Sequence, residues 1–313
     1  MRRMRYEKQI LLKEIEKKGH EKLRKSTIAV IGIGALGSNS ASLLARAGIN
    51  LVLVDRDVVE LDNLQRQNLF SENDIGKEKA LAAEEYLNKI NSEINIDSYV
   101  ADLYYRNINI LDKADLILDC TDNLETRFLI NEYCLKNKKP WIYSGILGTR
   151  GMMLSFNNEY CFNCIFKETT ENLETCDTIG VLNSVASLIS SIQVTEAIKI
   201  LLNRNNTKEL IVVDVWSNEL KKIKVNKNKN CLTCKGNYYY SNGKKGASIV
   251  KLCGRNAYQI KGKRIDIDRI KNFLYKGRYS VTTRDFIAFN DGRVILKADS
   301  EGKAKIIYHR YFG

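Results

Sequence analysis

Two pairs of cysteines, each with the spacing C-x-x-C, are the clearest metal-binding pattern in the 313-residue chain. Cys161 and Cys164 form the first pair, and 66 residues separate it from the second pair, Cys231 and Cys234. Each pair presents two thiolates from one tight turn, and two such turns complete a tetrahedral site of four thiolates. Because four protein sulfurs leave no open position for a substrate, the pattern predicts a structural zinc ion, with an iron–sulfur cluster as the alternative.

A glycine-rich turn with the pattern G-x-G-x-x-G lies between two apolar runs. The first apolar run, residues 28–31, precedes the turn. Small and apolar residues at helical spacing come after the turn, and the second apolar run, residues 51–54, leads directly into Asp55. Strand, turn, helix, strand and acid make a nucleotide-binding βαβ unit, in which the helix N-terminus offers N–H groups to phosphates and the acid binds ribose hydroxyls. The glycines of the turn are Gly32, Gly34 and Gly37.

A polar, cationic cluster comes after the second strand. It contains Asp57 and then the run N-L-Q-R-Q at positions 63–67. Ligands of open α/β sheets bind at the carboxyl ends of the strands, where this cluster would lie. A triphosphate needs such a cluster more than a dinucleotide does, because Arg66 can clamp phosphate oxygens while Asn63 and Gln67 hold their orientation. The alternative is a solvated turn in which the arginine pairs with Asp57 or Asp62.

Two further charged residues are candidates for the same site. Lys79 lies near the start of a helix predicted over residues 71–91, from which it could turn toward the phosphates; the alternative is an exposed helix lysine. Asp122 comes after a strand predicted over 115–120, so it would stand at the same sheet edge as Asp55. A carboxylate there can hold Mg²⁺ beside a triphosphate, or it can cap the helix predicted over 124–136.

A lone cysteine, Cys176, lies in a polar segment over residues 167–180, just ahead of an apolar helix predicted over 182–202. A helix N-terminus stabilises a thiolate, so Cys176 is a candidate nucleophile or persulfide carrier. Free cysteines also serve as small buried fillers, and the residues alone leave both interpretations open. The remaining cysteines are predicted to be packing residues: Cys120, Cys134 and Cys253.

The composition, with 44% hydrophobic and 28% charged residues, suffices for one large α/β domain and one small domain. The basic N-terminus lacks an apolar run long enough for a signal peptide, and nothing later is expected to span a membrane. We therefore expect a cytoplasmic protein. The chain has only two histidines, so we expect no chemistry that needs a histidine base, such as a Ser-His-Asp triad.

The positive charge of the chain is concentrated near its end. Residues 238–313 carry 17 Lys and Arg against 6 Asp and Glu, or +11. The first 237 residues carry 33 against 31, or +2. This basic tail is either a solvated face or a surface for an acidic protein or a nucleic acid, such as tRNA.

The order of the elements predicts an α/β fold with a Rossmann-like, mostly parallel sheet and helices on both faces. With the zinc knuckles, this domain would cover residues 1–237, and a small basic α/β domain would cover 238–313. Other predicted elements are a helix over 6–25 with a weak apolar stripe (Leu11, Leu12, Ile15), a last large-domain strand over 211–215, a short helix over 270–275, a hairpin at Asn290-Asp291-Gly292 and a final helix over 301–311.

The ordered set of motifs resembles that of the ThiF/MoeB/HesA adenylyltransferases, the prokaryotic relatives of the ubiquitin-activating enzymes. The motifs that match span residues 5–234, about three-quarters of the chain. They are R-Y-E-K-Q-I, G-I-G-A-L-G, V-D-R-D, D-N-L-Q-R-Q, G-K-E-K, D-C-T-D-N, the two cysteine knuckles and the T-C segment around Cys176.

The resemblance implies that the chain uses ATP and Mg²⁺ to adenylylate the C-terminal glycine of a ubiquitin-fold sulfur carrier ending in Gly-Gly. The acyl-adenylate is then converted to a thiocarboxylate for thiamin, molybdopterin or tRNA thiolation. The resemblance also implies a homodimer. We expect a separate sulfur donor of the desulfurase or rhodanese type, because no rhodanese-like domain is present.

The resemblance also assigns roles to individual residues. Asp55 would bind the ribose, Gly34 would lie against the nucleotide, Asp122 would serve Mg²⁺ and the transition state, and Cys176 matches a thiol that joins the carrier in the thiamin branch. The four knuckle cysteines match the family's zinc ligands. The residues matching the phosphate-binding positions are Asn63, Arg66, Gln67 and Lys79.

One position departs from the family pattern. In R-Y-x-R-Q-I the second arginine reaches the ATP of the neighbouring subunit, and here that position is Lys8. A lysine keeps the charge but loses the bidentate fork of arginine. We therefore expect Lys8 to contact phosphate less specifically than an arginine would, and Arg5 could add to that contact.

Three other functions compete with this interpretation. A NAD-dependent oxidoreductase shares the glycine turn and Asp55 but leaves N-L-Q-R-Q, D-C-T-D-N and the cysteine knuckles without a role. A tRNA-modifying relative that adenylates a carboxyl group on tRNA would use the same ATP residues, and the basic tail favours it. An inactive subunit of a heterodimeric activator would be expected to lack Arg66, Lys79 and Asp122, which are all present.

Overall fold

The computed structural model describes residues 5–168, 179–246, 249–252 and 257–312 of the chain. Its helices are α1 (Glu7–Ile10), α2 (Glu16–Lys25), α3 (Ala35–Ala47), α4 (Lys79–Ile90), α5 (Leu124–Asn137), α6 (Phe162–Ile165), α7 (Asn183–Leu201) and α8 (Glu301–Phe312). Its strands are β1 (Thr27–Ile31), β2 (Asn50–Asp55), β3 (Ile96–Val100), β4 (Leu116–Asp119), β5 (Trp141–Leu147), β6 (Arg150–Phe156), β7 (Glu209–Asp214), β8 (Glu219–Lys224), β9 (Ile249–Leu252), β10 (Ala257–Lys261), β11 (Tyr275–Lys276), β12 (Ser280–Thr282), β13 (Phe286–Phe289) and β14 (Arg293–Lys297).

The larger of two sheets has eight strands in the order β3-β2-β1-β4-β5-β6-β7-β8. The strands from β3 to β5 in this order are parallel, and β6, β7 and β8 continue the sheet antiparallel. The carboxyl ends of β1, β2 and β4 therefore meet at one edge, where such sheets bind ligands. The predicted Rossmann-like, mostly parallel sheet is confirmed.

Successive residues of β1 enter two different cores on opposite faces of the sheet. Ile28 and Val30 belong to a core that includes α3, α4 and α7, whereas Ala29 and Ile31 belong to a core that includes α5. A strand buried on both faces is apolar throughout, which is why this run could be identified from the sequence. Helices therefore cover both faces of the sheet, as predicted.

The turn after β1 holds the N-terminus of α3 close to the strand. Gly32 has a φ of +84°, and its N–H donates to Val54 O at 2.8 Å. A Cβ atom on Gly37 would stand 1.8 Å from Gly32 O. The close approach therefore requires glycine at both positions, and it aims the first N–H groups of α3 at the space beyond the sheet edge.

The second sheet has six antiparallel strands in the order β11-β12-β13-β14-β10-β9. Helix α8 packs against it through the buried Ala304 and the half-buried Ile307 and Tyr308. The predicted hairpin at residues 290–292 connects β13 to β14, and the predicted final helix is α8. The small C-terminal α/β unit is thus confirmed as a fold element.

Four predicted elements differ from the structure. The helix over 6–25 is wrong as one element, because residues 11–15 separate α1 from α2, and Glu16, where α2 begins, has a φ of +55°. The helix over 71–91 begins only at Lys79, since Ile75 and Glu78 have extended ψ values of 126° and 127°. The strand predicted over 211–215 is not the last strand of the large sheet, because β8 comes after it. The short helix predicted over 270–275 is wrong, because residues 275–276 form strand β11.

The predicted apolar stripe on the N-terminal helix is also wrong. Leu11 is 70% exposed and Leu12 is 50% exposed, and Ile15 alone of the three is buried in the core. The two exposed leucines lie in the connection between α1 and α2. They are the most exposed apolar side chains of the N-terminal segment that the structure describes.

Helix α7 is long and apolar enough to cross a membrane by length and composition. Length and composition alone do not distinguish a membrane span from the core helix of a globular domain. In the fold, however, half of the helix window is buried, and Val185, Ile189 and Val194 belong to the core of the large sheet. The helix also buries Gln193 and Glu196, whose polar groups have partners inside the protein.

We expect Gly37→Ala to lower the free energy of unfolding by about 3 kcal/mol, because its methyl group collides with the Gly32 carbonyl and α3 must shift. Urea unfolding followed by circular dichroism measures the change. Gly302→Ala in α8 is the matched control, since an added Cβ there would meet no described atom within 4 Å apart from its chain neighbours and its own helix backbone. Alanine favours a helix, so the control should be unchanged or more stable by up to about 1 kcal/mol. Equal stabilities of the two variants would contradict the packing described.

Candidate functional site

The side chain of Asp55 joins the glycine turn to the loop after β2. The carboxylate is 8% exposed; one oxygen accepts the N–H of Ile33 and the other accepts the N–H of Asp57 at 2.7 Å. Burial raises the pKa of Asp55, and the positive charge of Lys79 acts against that rise. The carboxylate is thus held in one orientation, with its remaining lone pairs able to accept ribose hydroxyls.

Lys79 is brought to the same place by backbone pairing. Its N–H donates to Asp57 O at 2.9 Å, and Val59 N–H donates to Lys77 O at 2.8 Å. Lys79 is only 4% exposed, so its interpretation as an exposed helix lysine is wrong. A buried ammonium beside an acid, at the first turn of a helix, is a suitable partner for phosphate oxygens.

The N-L-Q-R-Q run surrounds the other side of the glycine turn. Asn63 is 3% exposed, and its Oδ1 accepts the N–H of Glu60 at 3.3 Å. Gln67 is 4% exposed, and its Nε2 lies 3.9 Å from the point where a Cβ on Gly34 would stand. The Asn63 amide is therefore held by its own loop, whereas Gln67 faces the N-cap of α3 with a buried Oε1 that has no hydrogen-bond partner among the described residues.

Arg66 is half-buried and tethered to the loop that carries it. Its Nη1 donates to the backbone oxygen of Asp62 at 2.8 Å, which is a main-chain contact and not the carboxylate pairing considered above. The side chain lines a cleft of about 320 Å³ together with Asn68 and Ser187. The guanidinium thus keeps donors that can turn toward a bound anion.

Asp122 does not cap α5, because that role belongs to its neighbour. Asn123 is the N-cap residue, and its Oδ1 accepts the N–H of Thr126 at 2.8 Å. The Asp122 side chain is 58% exposed and lies 3.7 Å from Arg56 Nη2. It stands on the loop after β4, which contacts the glycine turn where a Cβ on Gly32 would be 2.8 Å from Cys120 O. Asp122 is therefore at the predicted edge and accessible to a cation.

Sequence reasoning missed Arg56, a charged residue of this edge. It has a 14% exposed side chain and lies 3.3 Å from Asp102 in addition to its contact with Asp122. Burial by itself would lower the pKa of Arg56. The neighbouring carboxylates of Asp102 and Asp122 outweigh that effect and raise the pKa above its usual value, so the guanidinium stays charged. The available signal was the sequence D-R-D, in which an arginine stands directly after the acid that ends a nucleotide-binding strand.

Asp119, also missed, is a buried acid that fixes the D-C-T-D-N loop in place. It is fully buried, and its Oδ1 accepts both the N–H and the hydroxyl of Thr121, at 2.9 and 2.7 Å. Arg127 lies 3.6 Å from its other oxygen. Burial also raises the pKa of Cys120 to about 12, so this thiol stays protonated and packs, as predicted.

Among the predicted site residues that the structure describes, Lys8 is not brought to this edge. Lys8 is exposed on α1, and the adjacent Gln9 donates to Ala47 O at the C-terminal end of α3. Since α3 has 13 residues, that end lies about 20 Å from the glycine turn at its start. Cys176 lies outside the described residues, as does Cys253.

The four knuckle cysteines converge as predicted. Their sulfur atoms all lie within 4.8 Å of one another, with separations of 3.8 Å for Cys161 and Cys164, 3.5 Å for Cys161 and Cys231, and 3.5 Å for Cys164 and Cys234. Sulfurs bound to one zinc at about 2.3 Å stand about 3.8 Å apart in a tetrahedron. The donor set therefore fits a zinc ion held between α6 and the segment after β8.

Comparisons with known proteins match residues 6–233 to the ThiF family. The chain is 32% identical over 336 residues to the sulfur carrier protein ThiS adenylyltransferase of Bacillus subtilis (strain 168), with 99% of each chain covered. It is 33% identical over 238 residues to the molybdopterin-synthase adenylyltransferase of Escherichia coli (strain K12), with 74% of this chain and 96% of the relative covered. A crystal structure of E. coli MccB with succinimide has a TM-score of 0.65 at 21% identity, covers 74% of each chain, and supports the fold alone.

We expect Cys161→Ser to remove the bound metal and to lower the unfolding temperature by about 10 °C, because a structural zinc site contributes directly to folding energy. Metal content by mass spectrometry and differential scanning calorimetry measure the two effects. Cys134→Ala is the matched control, since Cys134 is buried but lies outside the cluster. Full metal content in Cys161→Ser, or metal loss in the control, would contradict the assignment.

Proposed function

The chain belongs to the ThiF family and is an enzyme of the adenylyltransferase type, and we propose that it adenylylates the C-terminal glycine of a ubiquitin-fold sulfur carrier. The observation that carries the proposal is the convergence of cations, amides and acids on the glycine turn at the sheet edge. Asp55, Lys79 and Gln67 are each less than 10% exposed there. Hydrogen bonds hold the Asp55 carboxylate and the Lys79 backbone in place, and Gln67 faces the N-cap of α3. The names of the B. subtilis and E. coli relatives support a sulfur carrier as the class of substrate.

The chemistry suits the residues at the edge. The carboxylate of the carrier attacks the α-phosphorus of ATP in line, the bond to the β-phosphate oxygen breaks, and pyrophosphate leaves. Because the attacking carboxylate is already ionised at neutral pH, the site needs no general base. It must instead orient the two reactants and stabilise negative charge on the phosphates. An arginine, a lysine and amides meet that need without a histidine.

The proposed roles agree with the geometry. Asp55 accepts the ribose hydroxyls, and the N–H groups at the start of α3 face the phosphates across Gly34. Lys79 and Arg66 bring positive charge to the phosphates, while Asn63 and Gln67 hold them in orientation. Asp122 is the exposed carboxylate available to Mg²⁺, which when bound neutralises charge on the leaving pyrophosphate.

A further part of the proposal concerns the fate of the acyl-adenylate. In the cytoplasm, the outer sulfur of a persulfide supplied by a separate donor protein attacks the acyl carbon and AMP leaves. A thiol then cleaves the S–S bond of the resulting acyl disulfide, which releases the thiocarboxylate and forms a disulfide. Cys176 is the residue proposed to join the carrier at this stage. The pathway that uses the thiocarboxylate is left open between thiamin, molybdopterin and tRNA thiolation.

We propose that the protein acts as a homodimer in which Lys8 serves the site of the other subunit. Lys8 lies at the far end of α3 from its own glycine turn, so it cannot reach its own phosphates. The exposed Leu11 and Leu12 beside it offer apolar surface for a second copy. Light scattering after size exclusion is expected to give twice the chain mass at micromolar concentration, and a monomer would contradict the proposal.

ATP–pyrophosphate exchange tests the function directly. With Mg²⁺ and a panel of Gly-Gly-terminated carriers, exchange is expected to depend on one carrier and to disappear when its last glycine is removed. Bulk tRNA forms the second arm, because the basic tail favours a tRNA-modifying activity. ATP consumption that requires tRNA, without carrier-dependent exchange, would replace the proposed substrate.

Asp122→Ala is expected to lower exchange at least about 100-fold without unfolding the protein, because the side chain is largely exposed and contributes little to packing. Asp97→Ala is the matched control, since Asp97 is also an exposed carboxylate in one ion pair, with Lys113 at 3.1 Å. The control should exchange at the wild-type rate. Near-normal exchange by Asp122→Ala would refute the role of this residue.

A further inference from the structure

The second sheet packs against the loops that form the candidate nucleotide site. Val58, three residues after Asp55, is 1% exposed because it is enclosed by apolar residues of that sheet. No step of the proposed reaction uses this contact. The enclosing residues are Leu252, Ala257, Ile287, Phe289 and Ile295.

Arg293 on β14 fastens the second sheet to the carboxyl ends of two strands of the large sheet. Its side chain is fully buried. Nη1 donates to Arg56 O at 2.9 Å, and Nη2 donates to Val100 O at 3.4 Å. Its Nε donates to Asp291 at 2.7 Å, which balances the buried charge. One guanidinium thus holds the backbone directly after Asp55 and the end of β3.

Glu78 gives a second attachment, next to Lys79. It is 3% exposed, and its Oε1 accepts the N–H of Tyr279 and the hydroxyl of Ser280, both at 2.8 Å. Both donors belong to the second sheet or to the turn that precedes β12. Glu78 has an extended backbone and is the residue directly before α4. It is therefore held in place by a part of the chain 201 positions away.

A third attachment runs through side chains to Asp122. Gln259 on β10 is 3% exposed, and its Nε2 donates to Asp102 at 2.7 Å. Asp102 pairs with Arg56 at 3.3 Å, and Arg56 pairs with Asp122 at 3.7 Å. A buried amide of the second sheet thereby fixes the acid that orients the arginine beside the proposed Mg²⁺ carboxylate.

We propose that the second sheet positions the nucleotide site, with Arg293, Ser280 and Gln259 as positioning residues that act through Asp57, Lys79 and Asp122. The inference rests on the proposed function, since it concerns the binding of ATP at that site. The ThiF family match ends at residue 233, before the second sheet begins. The second sheet therefore lies outside the part that the family model matches, and we expect its contacts here to set the affinity for ATP.

The test uses three variants of the full chain, Ser280→Ala, Gln259→Leu and Arg293→Lys. Each removes one attachment while keeping side-chain size or charge, and lysine loses the fork that spans the two carbonyls. The Kd for Mg²⁺-ATP is measured by calorimetry without carrier, and KM and kcat are measured in carrier-dependent exchange. We expect Kd and KM for ATP to rise about tenfold in all three variants, with KM for the carrier within about twofold of wild type. For Ser280→Ala and Arg293→Lys, kcat should also stay within about twofold, whereas Gln259→Leu should lower kcat too, because it acts through Asp122.

Arg269→Lys is the matched control, because Arg269 lies in the same part of the chain but its side chain is 87% exposed. It should bind ATP as the wild type does. Hydrogen exchange of residues 55–61 and 77–82 gives a readout that does not depend on activity, and we expect faster exchange there in the three variants.

Folded variants whose Kd for Mg²⁺-ATP is within about twofold of the wild-type value would overturn the inference, even if their hydrogen exchange is faster. Should Arg293→Lys fail to fold, Ser280→Ala and Gln259→Leu decide by the same criterion. A wild-type chain that binds ATP but shows no carrier-dependent exchange would overturn the proposed function, while the Kd comparison still decides the inference. A wild-type chain that does not bind ATP would overturn both.

Discussion

The carboxylate of Asp55 is the contact on which the nucleotide edge depends. A buried carboxylate is costly unless its oxygens accept hydrogen bonds, and this one accepts them from the glycine turn and from the loop after β2. Asp57, which donates one of those bonds, accepts the N–H of Lys79 through its own carbonyl. The start of α3, the end of β2 and the start of α4 are consequently one hydrogen-bonded unit, and a displacement of any of them is felt by the other two.

The parts of the fold that could be predicted well from the sequence are those determined by local pattern. Residues 28–31 are apolar without alternation because β1 is buried on both faces, and such a run is recognisable by itself. Strand β8 has the opposite character, since all six of its residues are exposed. An edge strand rich in lysine has no periodicity to detect, and lysines on such an edge discourage pairing with other chains. The start of α4 was misplaced because Glu78 is held extended by the distant Tyr279 and Ser280.

The candidate site divides in the same way. Asp55, Lys79 and the four cysteines lie in short motifs whose spacing indicates their chemistry, so they could be identified from the sequence. Arg56 lies in a motif too, but its importance comes from Asp102, 46 positions further along the chain. Whether an arginine faces solvent or a pair of carboxylates is decided by the element that packs over it, and no local pattern contains that information.

The cysteine cluster has a consequence for a chain that has been cut. Residues 203–205, between α7 and β7, are exposed and lie between the two cysteine pairs. A protease that cleaved there would leave Cys161 and Cys164 on one fragment and Cys231 and Cys234 on the other. A metal bound by all four sulfurs would still join the fragments, as would the pairing of β6 with β7. The nicked protein would then migrate as one particle until a chelator and a denaturant separated its two pieces.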